Sequence, residues 1–209
     1  VQVAPWRWAA DEASKWRAVA GEARRLQAAG RAVLIGVRSV RASEALHALM
    51  QAQGVSAEVL NAKSHAQEAA LVAAAGEAGR IIIATNMAGR GTDIRLSDAV
   101  RQRGGLHVII AEANDSARID RQLMGRCGRQ GEPGSVSRWL CPSDAVVQGV
   151  AWPRLGALGG AALGAAWWSW RIKRSQRRHE ALASARREAV LRADAWMARA
   201  LPFQRGDVA

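Results

Sequence analysis

Apolar and polar positions alternate along the first two thirds of the chain in two periods, and the order of those periods predicts the architecture. Over residues 11–29 the apolar side chains Trp16, Val19, Ala20, Ala23 and Leu26 recur at helical spacing, and Gly30 follows as a stop. The run "RAVLIGV" (31–37) reads as a buried strand, "SVRASEALHALMQAQG" (39–54) as a capped helix, and "VSAEVLNA" (55–62) as a second strand. A helix over 67–75, a strand over 80–84, a strand "GGLHVII" (104–110), a helix opening "DSARIDRQLMGRCGRQG" (115–131) and a strand "SVSRWLC" (135–141) complete the series. Strands that alternate with helices through short glycine-punctuated turns predict an α/β fold, a parallel sheet covered by helices on both faces. Ligands of such sheets sit outside the carboxyl ends of the strands. The polar loops after Ala84 and before Ser135 are thereby expected at one edge of one site.

Beyond this region the pattern changes. The stretch "WPRLGALGGAALGAAWWSW" (152–170) is uncharged for 16 residues between Arg154 and Arg171, short of the roughly 17–25 residues a bilayer-spanning helix needs. It reads as an apolar linker over 145–170. Residues 171–209 read as a basic helical tail, with Leu182, Ala185, Ala189, Trp196 and Met197 able to share a face and arginines around them. Residues 1–10 read as a linker and 11–144 as the α/β domain. Neither a signal-peptide pattern nor an initiator methionine opens the chain at Val1, which suggests a fragment of a longer polypeptide.

Composition narrows the function classes. A formal net charge of +12 favours anionic partners: nucleotide phosphates, nucleic acid or an acidic membrane surface. The two cysteines, Cys127 and Cys141, are too few for a disulfide framework and lack the spacing of a zinc site, which fits a reducing cytoplasm.

Two loops carry chemistry. "IIIATNMAGRGTDI" (81–94) runs a β-branched strand into a turn where glycines allow backbone N–H groups to approach a ligand and Arg90 and Asp93 supply charge. "QLMGRCGRQGEPG" (122–134) sets Arg126 and Arg129 three residues apart among glycines, two planar forks suited to phosphate oxygens. Each alone is also an ordinary turn; together they are candidates for one anion-binding site.

The order "VLIGVRSV", "VLNAK", "ATNMAGRGTDI", "GGLHVI", "RIDRQLMGRCGRQGEPGS" resembles the second nucleotide-binding, RecA-like domain of the SecA family of bacterial preprotein translocase ATPases, over residues 15–140. That resemblance implies a RecA-like fold that closes on ATP and magnesium held by a first motor domain. It implies that Arg126 and Arg129 form the arginine pair of the sixth helicase motif, with Arg129 as the finger. Gly91 and Asp93 match the fifth motif, the aspartate orienting the nucleotide ribose, with Arg90 supporting the loop and Gln122 and Gln130 positioning the nucleotide beside the arginines. The implied partners are a first RecA-like domain, an unfolded preprotein, and a translocon or acidic lipid at the bacterial inner membrane, with nucleic acid disfavoured.

Departures from the family pattern are visible. Met124 replaces the arginine of "QLRGR", Glu132 replaces the aspartate of "GRQGD", and "AEANDSARID" stands where "TERHESRRID" is usual. No GxxxxGK[ST] and no acidic strand end for magnesium occur in the sequence. The tail resembles a truncated scaffold helix, which implies a short, divergent SecA-like protein. The competing readings are a superfamily-two nucleic-acid helicase half-domain and a SecA-like interaction module without catalysis.

Overall fold

A computed structural model describes residues 1–60, 65–85, 93–148 and 161–200. Six strands form one sheet: β1 (Gln2–Trp8), β2 (Val33–Val37), β3 (Glu58–Leu60), β4 (Ile81–Thr85), β5 (Leu106–Ile110) and β6 (Gly134–Leu140). Their order is β1-β6-β5-β2-β4-β3, and every neighbouring pair is parallel. The helices are α1 (Glu12–Ala28), α2 (Val40–Ala52), α3 (His65–Ala74), α4 (Asp98–Gln102), α5 (Ala117–Met124) and α6 (Ala161–Ala200). The predicted parallel α/β fold is present.

The central strands bury both faces, which is why they read as continuous apolar runs. Val33, Ile35, Val37, Ile81, Ile83 and Ile109 join Trp16, Val19, Leu26, Leu46 and Met50 of α1 and α2 on one face. Leu34, Ile82, Ala84, Leu106, Val108 and Ile110 join Val72 of α3, Val100 of α4 and Leu123 of α5 on the other. Side chains two apart thus share a face, as the strand repeat requires. The helices begin where their caps dictate: Asp11 accepts from the Ser14 N–H at 2.6 Å and Ser39 from the Ala42 N–H at 3.1 Å.

Residues 1–10, expected to be a linker, instead supply the edge strand β1, paired to β6 from Gln2↔Ser135 to Trp8↔Leu140 with an irregularity between Val3 and Trp6. Pro5 lies in that irregularity. Proline cannot donate to a ladder, so it is tolerated on an edge strand and conceals the strand from pattern reading. Strand β3 is shorter than the expected 55–62, and α4 was not foreseen; it is five residues long.

The tail also differs from expectation. Helix α6 begins at Ala161, inside the stretch read as a linker; residues 149–160 lie outside those described. It docks on the domain through Ile172, which joins Ala113, Leu140, Val146 and Val147 in a third apolar cluster bordered by Trp6 and Trp8. Gln176, 3% exposed, donates to the Asn114 carbonyl at 2.8 Å and to Asp120 Oδ2 at 2.7 Å. Leu182, Trp196 and Met197, expected to share a face, are exposed. No helix among the described residues is long and apolar enough to cross a membrane.

Two buried polar clusters lock the layers together. Lys15 of α1, 1% exposed, forms an ion pair with Asp144 beyond β6, whose other oxygen accepts the Cys141 N–H at 2.8 Å. Glu22 of α1 accepts from Ser137 at 3.0 Å, Trp139 Nε1 at 2.9 Å and Arg7 at 2.9 Å. His107 of β5 bonds Ser135 at 2.7 Å and Ser137 at 3.0 Å. Burial pushes the His107 imidazolium down to about 4, against the opposing pull of Glu22, so the ring is neutral at pH 7.

Candidate functional site

Asp93 and Arg129, one from each candidate loop, meet. Arg129 Nη1 forms an ion pair with Asp93 Oδ1, joining residues from the segment after β4 and the turn after α5. Arg129 Nε also donates to the Gly125 carbonyl at 2.9 Å, so its guanidinium is aimed by its own helix end and by the other loop at once.

The turn that carries Arg129 is built by glycine. Gly128 has φ 68°, Gly131 φ 80°, and between them Gln130 sits at φ 53°, left-handed backbone that a side-chain-bearing residue adopts at a cost of about 1–2 kcal/mol. The same turn packs against Gly134, where a Cβ would stand 3.0 Å from the Gly128 nitrogen and from Cys127 Cβ. Cys127, between the two arginines, is 4% exposed and anchors the turn in the core. Its thiol donates to the Met124 carbonyl at 3.2 Å, and burial raises its pKa. Arg126 and Arg129 thus flank an apolar pin.

Around the ion pair lies an open pocket of about 380 Å³ lined by Asp93, Ile94, Arg95, Arg101, Arg129, Gln130 and Glu132. Glu132 accepts from Arg101 Nε at 2.9 Å while Arg101 Nη1 donates to Asp98 at 2.6 Å. The bond to Glu132, then that to Asp98, raises the pKa of the Arg101 guanidinium. This ties the arginine-bearing turn to α4.

The pocket lies beyond the amino ends of β5 and β6, not at the carboxyl edge that the loop positions suggested. Ser97 donates to the Gly76 carbonyl at 3.0 Å, just before β4, and a Cβ on Gly105, just before β5, would stand 1.8 Å from the Pro133 carbonyl oxygen. The physical reason is the path of the connections. Asp93 is eight residues past Thr85, and Arg129 follows α5, a helix that starts beyond the carboxyl end of β5 and returns to the amino end of β6. The candidate side chains Asp93 and Arg129 therefore stand away from the carboxyl ends of β4 and β5.

Of the residues picked from sequence, Asp93, Arg129 and Gln130 come together in this pocket. Arg126 lines an adjacent, small apolar recess of about 20 Å³ with Leu34, Leu60, Val72, Ile82, Ala84 and Ile94, over the sheet face. Gln122 is exposed on α5 outside the pocket lining. Arg90 and Gly91 lie outside the described residues. Sequence reasoning missed Arg95 and Arg101. The spacing of Asp93 and Arg95, two apart beside a buried Leu96, was the signal that could have found the first.

The sheet order and covering helices define a RecA-like α/β fold. They are similar to the E. coli DEAD-box protein SrmB bound to regulator of ribonuclease activity A, with a TM-score of 0.58 and 18% identity over 70% of this chain and 82% of that one. They are similar too to domain 2 of the DEAD-box helicase Mss116p bound to an RNA duplex, with a TM-score of 0.53 and 16% identity over 68% and 55%. At such identities the likeness is one of fold.

Residues 9–101 and 97–157 match the family model of the SecA P-loop domain, and the chain belongs to that family. It is 52% identical over 208 residues to the protein translocase subunit SecA 2 of Magnetococcus marinus, covering 96% of this chain and 32% of that protein. It is 44% identical over 172 residues to the protein translocase subunit SecA of Mycoplasma pneumoniae, covering 80% of this chain and 21% of the other. The likeness to the Magnetococcus protein extends across the basic tail, beyond residues 15–140 that carry the motifs. The chain spans about a third of the first relative and a fifth of the second.

Proposed function

We propose that this chain is the second half of a SecA-like ATP-driven motor, closing over ATP and magnesium held by a first RecA-like domain and converting hydrolysis into movement of an unfolded preprotein. The observation that carries the reading is the Arg129–Asp93 ion pair inside one pocket, which unites the finger and ribose-orienting candidates. The pocket's residues fit a nucleotide: three guanidiniums line it, its volume lies within the roughly 300–1,000 Å³ usual for ligand sites, and its polar groups converge from three segments.

In this reading Arg129 leaves Asp93 when the first domain presents ATP, and its fork neutralises charge on the transferring phosphoryl group. Asp93, released, accepts from the ribose. Arg126, pinned beside it by Cys127, supplies the second cation, while Gln130 orients the nucleotide and Gln122, Arg90 and Gly91 support the two loops. Bound ATP supplies the phosphoryl group, and the lysine and carboxylates that hold its phosphates and magnesium come from the first domain. Helix α6, gripping Asp120 of α5 through Gln176, would carry the motion outward. The remaining partners of this reading are a translocon or acidic lipid at the bacterial inner membrane.

The test is ATP turnover by the longest native polypeptide containing this chain, with Arg129→Ala beside it. Loss of roughly a thousandfold is the effect expected of an arginine finger. Stimulation by acidic liposomes supports the translocase; stimulation by single-stranded RNA or DNA instead supports the helicase reading. Turnover indifferent to Arg129 supports the interaction module.

A further inference from the structure

The cations lining the pocket are not equivalent. Arg129 is paired with Asp93, and Arg101 is held between Glu132 and Asp98. Arg95 lines the same pocket, is exposed, and makes no hydrogen bond or ion pair with any described residue.

Its backbone is fixed as firmly as its side chain is unpartnered. Leu96, 5% exposed, is in the core beside Val72 and Val100, and Ile94 packs on the same cluster. The Arg95 carbonyl lies against Gly76, where a Cβ would approach it to 1.8 Å, and the neighbouring Ser97 N–H donates to Gly76. Any side chain at position 76 would displace this segment. The fold therefore staples the backbone on both sides of Arg95 and roots its side chain, unpartnered among the described residues, on the wall that carries Arg129. An unpaired arginine on a convex surface needs no explanation, but one held on a rigid base in a concave site beside a second arginine is placed to receive an anion.

We propose that Arg95 is a phosphate-binding residue of this pocket, contacting the polyphosphate of the nucleoside triphosphate beside Arg129. The proposal rests on the nucleotide reading of the pocket. Since Arg129 and Arg101 already have carboxylate partners, Arg95 is the lining cation that an arriving polyphosphate meets without first breaking an ion pair. It therefore acts on nucleotide affinity ahead of the finger's action on the chemical step.

The test uses the full-length polypeptide containing this chain. Binding of ATP, ADP and AMP is measured by calorimetry, with steady-state turnover, for wild type, Arg95→Ala, Arg95→Lys and Arg129→Ala. Arg95→Ala is expected to weaken ATP binding roughly tenfold to a hundredfold, the worth of one charge-assisted hydrogen bond, and to raise KM by more than it lowers kcat. The effect shrinks for ADP and vanishes for AMP, Arg95→Lys restores part of the affinity, and Tm stays unchanged because the side chain is exposed. Equal weakening of all three nucleotides, or no change in any, overturns the proposal. If Arg129→Ala abolishes turnover while Arg95→Ala leaves affinity and KM intact, only the role of Arg95 falls. If Arg129→Ala leaves turnover intact, the nucleotide reading of the pocket falls with it.

Discussion

Removing one partner of the Lys15–Asp144 pair tests how α1 is tied to the segment that follows β6. Lys15 projects from α1 and is 1% exposed, Asp144 is 6% exposed, and Asp144 also accepts the Cys141 N–H. Asp144→Ala leaves a charged ammonium buried without its carboxylate, a loss of about 3–5 kcal/mol. It also strips an acceptor from a buried N–H, about 1–3 kcal/mol more. Together these come to about 4–8 kcal/mol, half or more of the ~5–15 kcal/mol by which a domain is stable. Lys15→Met leaves Asp144 buried with only the Cys141 N–H and costs a similar amount. The double variant Lys15→Met/Asp144→Asn removes both charges, retains an acceptor for Cys141, and regains most of the loss, to within roughly 1–2 kcal/mol of wild type. Urea unfolding of the chain followed by tryptophan fluorescence, with the four-way comparison of wild type, Lys15→Met, Asp144→Asn and the double, measures this coupling. Single losses under about 1 kcal/mol, or losses that simply add in the double variant, would refute the reasoning.

Acidification probes a second buried group. His107 is held neutral by burial, its pKa down at about 4, with Arg31, Arg7 and Arg25 opposing protonation and Glu22 favouring it. As pH falls below about 6.5 the unfolded chain takes the proton first, so stability contributed by the neutral ring drops between pH 6.5 and 4, by up to ~3 kcal/mol. A pH series of urea midpoints should show this decline and His107→Gln should flatten it; a decline unchanged in His107→Gln assigns it to other groups. At the tail, Gln176→Ala removes a donor from buried Asp120, whose pKa burial raises, and costs about 1–3 kcal/mol. Amide exchange in α6 around Ile172 should then accelerate while Leu182→Ala, at an exposed position, leaves it unchanged; equal exchange in wild type and Gln176→Ala would detach α6 docking from that contact.

Much of the fold was legible because its signals are local. The buried strands 33–37, 81–85 and 106–110 are dominated by β-branched residues and leucine, and Asp11 and Ser39 cap helices where their side-chain oxygens reach the N–H groups three residues on. What escaped was non-local. Strand β1 breaks its own pattern at Pro5 and is a strand because β6 pairs with it. The five residues of α4 are too few for a helical period to be read. On α6 the apolar spacing from Leu182 to Met197 is genuine, yet the docked side chains are Ile172 and Gln176, selected by what Asp120 and Val147 offer them.

The site divides in the same way. Arg129 and Asp93 were identifiable from residue type among glycines and from family resemblance, and they meet in the structure. Their location at the amino edge was not legible, because it depends on where α5 and the segment after β4 deliver their far ends. Arg95 and Arg101 were hidden for a related reason. An arginine in a chain with thirty lysines and arginines carries no signal until the fold places it in a concavity with a partner, or without one.

The most direct measurement is the ATP turnover of the longest native polypeptide containing this chain, compared with the 209-residue chain alone and with Arg129→Ala in the long form. The half-motor account predicts turnover by the long form, none by the chain alone, and a fall of roughly a thousandfold in Arg129→Ala. Turnover by the chain alone, or a long form indifferent to Arg129, would contradict it.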